Sequence, residues 1–383
     1  MIVNLDLTPE QKLLQGEITR FARAELNAGA RERDRDQEFP RELWAKCGEM
    51  RLQGLPVPEE YGGGGLDALG TAIALEALGY GCEDGGLVFA ICAHLLACVV
   101  PIWKHGTEEQ RKRWLPRLCD GSLIAVNGMT EPESGSDAFA MSTRAQRDGD
   151  GWVLSGAKTF SSNGPVADLA LVYAVTDPDK GFGGITAFVV ERGADGFRAG
   201  QKFEKMGLRS CPIGELVLED ARVGDDAVLG GVGAGATVFA QSMDWERACL
   251  GATHVGTMQR LLEGALKQAR TRKSGGQPIG KNQAVSHKIA DMKVRLEASR
   301  LLTYQAAWRL EQTRAAAMDA SIAKLHVSDS LVASAHDAVQ IMGGYGFLVE
   351  QGVERTLRDA VASTIYSGTN EMQRSIIARW LGL

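Results

Sequence analysis

Leu169-Ala170-Leu171-Val172-Tyr173-Ala174-Val175 is the stretch that decides the fold, read together with Ile185-Thr186-Ala187-Phe188-Val189-Val190 and Glu215-Leu216-Val217-Leu218-Glu219. Each run is short, rich in β-branched or aromatic residues, and bounded by turn pairs such as Asp148-Gly149-Asp150-Gly151 and Asp195-Gly196. Runs of this length and spacing predict a compact antiparallel β-domain over 124–235. Helical patterns flank it on both sides. Thr8-Pro9-Glu10-Gln11 reads as an N-cap, a proline at the first helical position and a capping-box partner, and Thr107 with Gln110 repeats the box ahead of Trp114 and Leu118. Beyond the β-region, Ile289, Met292 and Leu296 recur at helical spacing, with Lys288, Lys293, Arg295 and Arg300 spread among them. Gly230-Gly231-Val232-Gly233-Ala234-Gly235 is a linker, not a dinucleotide fingerprint, because no βαβ unit surrounds it. Helices, then strands, then helices imply segregated layers and an α+β multidomain chain.

The bulk properties set the class. A chain of 383 residues is too long for one small core. A net charge of −6 gives no support for nucleic acid or an anionic membrane as partner. The seven cysteines are scattered without a C-x-x-C pair, which fits reduced thiols and a cytoplasmic location. Residues 1–10 lack the pattern of a signal peptide. No window is expected to reach the apolar length of a membrane span, and the run around 95–103, interrupted by Pro101, reads as a buried helix. His94, His105, His254, His287, His326 and His336 show no metal-ligand spacing, so they read as solvated or helix-packing residues and no metal is expected. Cys249 lies in an apolar run and reads as an inert buried thiol.

Three segments carry chemistry. Met129-Thr130-Glu131-Pro132-Glu133-Ser134-Gly135-Ser136-Asp137 is a polar loop dense in hydroxyl and amide donors, suited to a heteroaromatic edge or a phosphate, or simply a capped turn. Lys158-Thr159-Phe160-Ser161-Ser162-Asn163-Gly164 places an aromatic before small hydroxyl residues, where a strand ends in a turn. Near the C-terminus stands Ile365-Tyr366-Ser367-Gly368-Thr369-Asn370-Glu371-Met372-Gln373-Arg374. With Lys205-Met206-Gly207-Leu208-Arg209-Ser210 and Gln340-Ile341-Met342-Gly343-Gly344-Tyr345-Gly346, these segments follow the order and near spacing of the acyl-CoA dehydrogenase family, which the chain resembles along essentially its whole length. The resemblance implies an N-terminal α-helical domain over 1–123, a middle β-barrel over 124–235 and a C-terminal four-helix bundle over 236–383. It also implies FAD and a homotetramer.

By the same resemblance, Asn127, Met129 and Thr130 line the isoalloxazine edge, and Phe160 and Ser162 lie against its other side. Phe160 stands where relatives more often have tryptophan. Gly135 and Ser136 match positions near the acyl thioester and its pantetheine arm. Arg272, Ser274 and Gln283 match residues that reach a neighbouring subunit's FAD, with Gly275 departing from the phenylalanine of relatives. Gln340, Gly344, Thr369 and Glu371 match further pyrophosphate and adenosine contacts.

Most of the family has a glutamate base where this chain has Ser367, and a serine hydroxyl cannot take an α-proton unaided. Met243-Asp244-Trp245-Glu246-Arg247-Ala248-Cys249-Leu250 offers a replacement. Glu246 matches the site from which the isovaleryl-CoA-type minority supplies its base; otherwise it pairs with a neighbour such as Arg247 or Lys267. Trp245 either walls the substrate pocket or fills the core. Trp245, Arg247, Tyr366, Ser367 and Ser136 complete the expected substrate site. Short stretches around Glu246, Asn282-Gln283-Ala284-Val285, Leu208-Arg209-Ser210-Cys211-Pro212 and Tyr366-Ser367 resemble the branch that oxidises prolyl groups on peptidyl carrier proteins. That branch implies a thioester on a phosphopantetheine arm, with CoA or acyl-carrier thioesters of short or branched acyl chains as the alternative. The electron acceptor is an electron-transfer flavoprotein or oxygen. Lys202, Lys205, Arg209, Arg144 and Arg147 are candidates for contacting CoA phosphates or an acidic carrier. A flavin monooxygenase and a non-catalytic scaffold on the same fold remain as readings of another class.

Overall fold

The computed structural model describes residues 6–312 and 316–383. Residues 1–5, on which part of the signal-peptide reading rests, lie outside the described residues. The N-terminal helices are α1 (Pro9–Phe21), α2 (Ala30–Asp36), α3 (Arg41–Glu49), α4 (Ala68–Gly81), α5 (Gly85–His94), α6 (Val100–His105) and α7 (Glu108–Cys119). Both expected capping boxes form: Thr8 accepts Gln11 N–H ahead of α1, and Thr107 accepts Gln110 N–H ahead of α7.

Gly85–His105 corrects the sequence reading. By length and composition it could cross a membrane, yet 83% of its apolar window is buried inside the protein, which marks a core helix. Its middle, Leu95–Val99, is a π-turn joining α5 to α6. Pro101 follows at once and carries no N–H for the carbonyl four residues back. That carbonyl, Ala97 O, instead accepts Asn127 Nδ2 at 2.9 Å, so the irregular helix holds the first strand of the next layer.

The middle layer contains β1 (Ala125–Gly128), β2 (Arg144–Asp148), β3 (Gly151–Ser162), β4 (Leu169–Val175), β5 (Ile185–Glu191), β6 (Phe197–Phe203), β7 (Ile213–Gly224) and β8 (Val228–Leu229). Hydrogen bonds join them in the order β6-β7-β3-β2-β4-β5-β8, with β1 on β4. The predicted runs are β4, β5 and the middle of β7. The antiparallel expectation needs one correction: β1 and β2 both pair β4 in parallel. The central strands β4 and β5 are buried on both faces because helices cover one side and the rest of the layer the other, so they read as continuous apolar runs.

The C-terminal region has α8 (Gly235–Cys249), α9 (Gly251–Thr271), α10 (Gln283–Leu310), α11 (Ala316–Met342), α12 (Val353–Ala362) and α13 (Asn370–Trp380), with a hairpin of β9 (Lys273–Ser274) and β10 (Gln277–Pro278) after α9. Helices α8 to α11 pack on one another as the bundle, and α13 lies on α11. Met292 and Leu296 fill its core from α10. Helix α4 crosses α9 at backbone contact: a Cβ on Gly79 would stand 2.1 Å from Thr253 O, and one on Gly256 would stand 2.1 Å from Glu76 O. Only glycine admits that approach, which seats α9 firmly against the N-terminal helices.

Candidate active site

Glu246 lies near the end of α8, whose last residues run through helical Leu250 directly into α9. It is 8% exposed. The Ser367 hydroxyl donates to its Oε1, so the two positions singled out in the sequence meet in space. Among the described residues no hydrogen bond or ion-pair contact joins Glu246 to Arg247 or Lys267; Arg247 acts on it through its charge and donates Nε to Ser367 O at 3.0 Å. Gln373 Nε2 donates to the same carbonyl at 3.1 Å and to Gly368 O at 2.9 Å. These donors hold a strap in which Ser367 (φ 56°) and Gly368 (φ 83°) are both left-handed.

Burial pushes the Glu246 carboxyl above its usual range, while the Ser367 hydroxyl, Arg247 and Lys324 pull it back. Cys92, Cys98, Tyr173 and Tyr366 also feel its charge, so α5, the π-turn, β4 and the strap all bring a titratable group near it. A buried carboxylate with one oxygen held by a hydroxyl is equipped to accept a proton. The Tyr366 ring, next to Ser367, is stacked on Phe89 at 4.6 Å. Trp245 is buried against Trp103, 6.1 Å between ring centres, with Lys104 Nζ over the pair, so it fills the contact between α6 and α8.

The residues expected around a flavin fall into two groups. Phe160 is 63% exposed at a left-handed turn (φ 52°) near the end of β3, leaning on Phe203. Thr159 N–H donates to Thr130 O at 2.8 Å, which sets Thr130 beside it, and Ser162 ends the same strand half-buried. An exposed ring flanked by hydroxyls, with the buried Ser161 Oγ lacking a partner, fits a flat ligand with polar edges. Met129 is buried, and Asn127 is tied to Ala97 O. Gly135 and Ser136 lie on an exposed loop.

The second group is Arg272, Ser274, Gln283, Gln340 and Gly344, all exposed. No hydrogen bond or ring contact among the described residues joins them to Glu246 or Phe160. Gly275 and Gly276 form the hairpin turn with φ 58° and 82°, a conformation in which the phenylalanine of relatives would be strained. Thr369 caps α13 by accepting Met372 N–H at 3.3 Å, and Glu371 stands exposed in its first turn. Of the basic candidates, Lys202 donates to Gln37 O, Lys205 to Cys211 O and Arg147 to Asp225, which leaves Arg144 as an exposed cation and Arg209 half-buried.

Several residues escaped the sequence reading. His254, one of the histidines whose spacing reads as solvated or helix-packing, shares a 2.7 Å hydrogen bond with the Tyr366 hydroxyl. It lies about two helical turns beyond Glu246, a spacing that puts both on one face and could have flagged it. Lys324, buried on α11, donates to Asn370 Oδ1 at 2.8 Å, and burial lowers it to about 8. Lys158 is fully buried with its Nζ 2.8 Å from Glu131 Oε1. Burial alone would raise Glu131, but Lys158, Ser142 and Thr143 outweigh it and hold the carboxyl at about 2. This pair anchors the loop that carries Thr130, Gly135 and Ser136. Cys249 is buried as expected.

Known proteins resemble this chain along its whole length. Models of the acyl-CoA dehydrogenase N-terminal, middle and C-terminal domains match residues 8–122, 127–221 and 233–382. An L-prolyl-(peptidyl-carrier protein) dehydrogenase of Pseudomonas fluorescens is 48% identical over 346 residues, 90% of this chain and 91% of that protein. The enzyme of the same description from a Serratia species is 41% identical, covering 100% of this chain and 99% of its own length. Among solved structures, the prolyl acyl carrier protein oxidase AnaB matches with a TM-score of 0.97 and 43% identity over 99% of this chain and 100% of its own. PigA with FAD and proline matches with a TM-score of 0.97 and 41% identity over 100% of both chains. With three domain models covering nearly its whole length and full-length relatives above 40% identity, this chain belongs to the acyl-CoA dehydrogenase family.

Proposed function

We propose that this protein is an FAD-dependent dehydrogenase of thioester-bound groups, acting on an L-prolyl group held on a peptidyl carrier protein, with Glu246 as the base. The observation that carries the reading is the buried Glu246 carboxylate receiving the hydroxyl of Ser367, the residue that replaces the family's usual glutamate. The prolyl substrate is supported by relatives of that description at 41% and 48% identity.

The thioester carbonyl acidifies the hydrogen on Cα, and a carboxylate raised by burial is a stronger base toward it than one in water. Ser367 holds Oε1 of Glu246, which leaves Oε2 to take the proton. Bound FAD supplies the acceptor for the hydride that leaves Cβ. The pair left between Cα and Cβ is the new double bond, and a further two-electron oxidation of the ring yields a pyrrole-2-carboxyl thioester. The backbone N–H of Ser367 serves as a donor to the developing enolate oxygen. Phe160, Thr130 and Ser162 hold the flavin ring, with Asn127 and Met129 at its edge. Ser136, Arg247 and Tyr366 border the substrate. Arg272, Ser274, Gln283, Gln340 and Gly344 serve the FAD of a second subunit in a homotetramer, with Thr369 and Glu371 on the first subunit's side. The chain divides into units 1–123, 124–235 and 236–383. Electrons pass on to an electron-transfer flavoprotein or oxygen. The buried free cysteines fit a cytoplasmic enzyme.

Intact-mass measurement of loaded carrier proteins tests the substrate. A prolyl carrier protein is expected to lose two or four hydrogens while short-chain acyl-CoAs stay unchanged. Oxidation of the acyl-CoAs with an untouched prolyl carrier would overturn the carrier-bound substrate and leave the acyl-thioester chemistry standing.

A further inference from the structure

We infer that His254 is a positioning residue for proton abstraction: it holds Tyr366, and through it the strap that aims Ser367 at Glu246. The inference rests on Glu246 being the base. Ser367 is a non-glycine residue at φ 56°, a conformation that persists only where its surroundings over-determine it. One anchor of the strap is downstream, where Arg247 and Gln373 grip the Ser367 and Gly368 carbonyls. The other is upstream, where the Tyr366 hydroxyl meets His254 Nε2 at 2.7 Å and its ring lies on Phe89. Glu246, Arg247 and His254 all belong to the α8–α9 run, so one continuous support carries the carboxylate and one member of each anchor, with Gln373 on α13 and Phe89 on α5 completing them.

The hydrogen bonds fix which way the histidine works. The Thr253 hydroxyl donates to Leu250 O at 2.8 Å, so it has no proton left for the imidazole. His254 Nδ1, 3.3 Å from that hydroxyl oxygen, therefore carries the ring proton and donates it to Thr253. Nε2 is then the lone-pair nitrogen and accepts the Tyr366 O–H. A lysine or arginine here could not accept, and an aliphatic residue would leave a phenol hydroxyl without a partner. Burial and nearby Lys324 keep the imidazole neutral, its pKa lowered to about 4, which preserves this polarity over the working range.

The experiment measures flavin reduction of the FAD-loaded enzyme by prolyl carrier protein in single turnovers, for His254→Ala, Tyr366→Phe and the double variant. Each single variant is expected to slow the limiting reduction rate about tenfold, with half-saturation by the carrier changed less than about twofold. The double variant is expected to be no slower than the singles, because the two residues act as one unit. Added imidazole is expected to recover His254→Ala and not Tyr366→Phe. The apparent pKa of reduction should move upward in both, as the Ser367 hydroxyl loses its aim; the groups facing that carboxylate are Arg247, Lys324, Cys92, Cys98, Tyr173 and Tyr366. Normal reduction in either single variant, additive losses in the double, or a loss confined to half-saturation overturns the inference. Tyr366→Phe removes one atom and keeps the stacked ring, so it decides the matter even if His254→Ala does not fold. Unimpaired reduction by Glu246→Gln would instead strike the choice of base.

Discussion

Ser367 Oγ donates to the carboxylate of Glu246 across 121 residues of sequence, joining the strap before α13 to the end of α8. The hydroxyl stands where the family usually keeps its base, and its partner is the carboxylate proposed as the base here. A donor to the charged form lowers a carboxyl pKa, whereas the burial of Glu246 raises it more.

Removing that donor has a definite sign. Ser367→Ala should raise the Glu246 pKa further, so that flavin reduction at acidic pH slows while the rate at high pH stays within a few-fold of the parent. A pH series of single-turnover reduction reads this directly. A profile shifted toward acid would mean that the hydroxyl does not stabilise the carboxylate.

Glu246→Gln keeps the shape and the contact with Ser367 but cannot accept a proton. FAD should remain bound, and reduction by substrate should fall by roughly 10²–10⁴, the usual worth of a positioned general base. Stopped-flow bleaching of the flavin is the measurement. Near-normal bleaching would remove Glu246 from the mechanism.

The buried Lys158–Glu131 pair should behave as a structural clamp. Lys158→Met leaves a carboxylate buried without its cation, and removing one partner of such a pair costs about 3–5 kcal/mol. Urea unfolding should show that loss. Glu131 is depressed to about 2, so its contribution is present above the ordinary glutamate value and is lost as pH falls through about 2. Lys158→Met should therefore flatten the acid limb of the stability curve.

Asp359 carries the opposite sign. Burial raises it to about 7, with Asp34 and Asp84 adding to the rise while the Leu208 N–H and Arg355 oppose it. A raised acid contributes stability in full below its unfolded value, and that stability disappears as pH climbs through about 7. Asp359→Asn should gain most relative to the parent at pH 8, less at pH 5 and nothing below the ordinary aspartate value, as read by melting temperature.

Phe160 presents its ring to solvent, and its burial by a bound flavin is expected to add about 1.5 kcal/mol or more. Phe160→Ala should retain FAD roughly tenfold less tightly in a cofactor titration, with the melting temperature of the FAD-free protein little changed.

Local signals were legible where chemistry is local. The Thr8 and Thr107 boxes and the β4 and β5 runs are written in adjacent residues, and the structure forms them there. The membership of the family was legible in five ordered motifs. The meeting of Glu246 with Ser367 could be argued only from a resemblance, because no periodicity links residues so far apart. His254 was passed over because its partner comes from another element and its neighbours look like an ordinary packed helix. Lys158 and Glu131 each look solvent-facing when read alone; only the pairing of β3 with the preceding loop buries both. Gly85–His105 was underread because Pro101 looked like an interruption, whereas the π-turn absorbs it.

That proline has a consequence for how the layers stay in register. Any residue with an amide hydrogen at position 101 would give Ala97 O a partner inside its own helix, in competition with Asn127. Mending the helix in this way would make Asn127 share that oxygen, so a flaw in one element serves as one of two rivets to β1, beside the Ala125 N–H bond to His94 Nδ1.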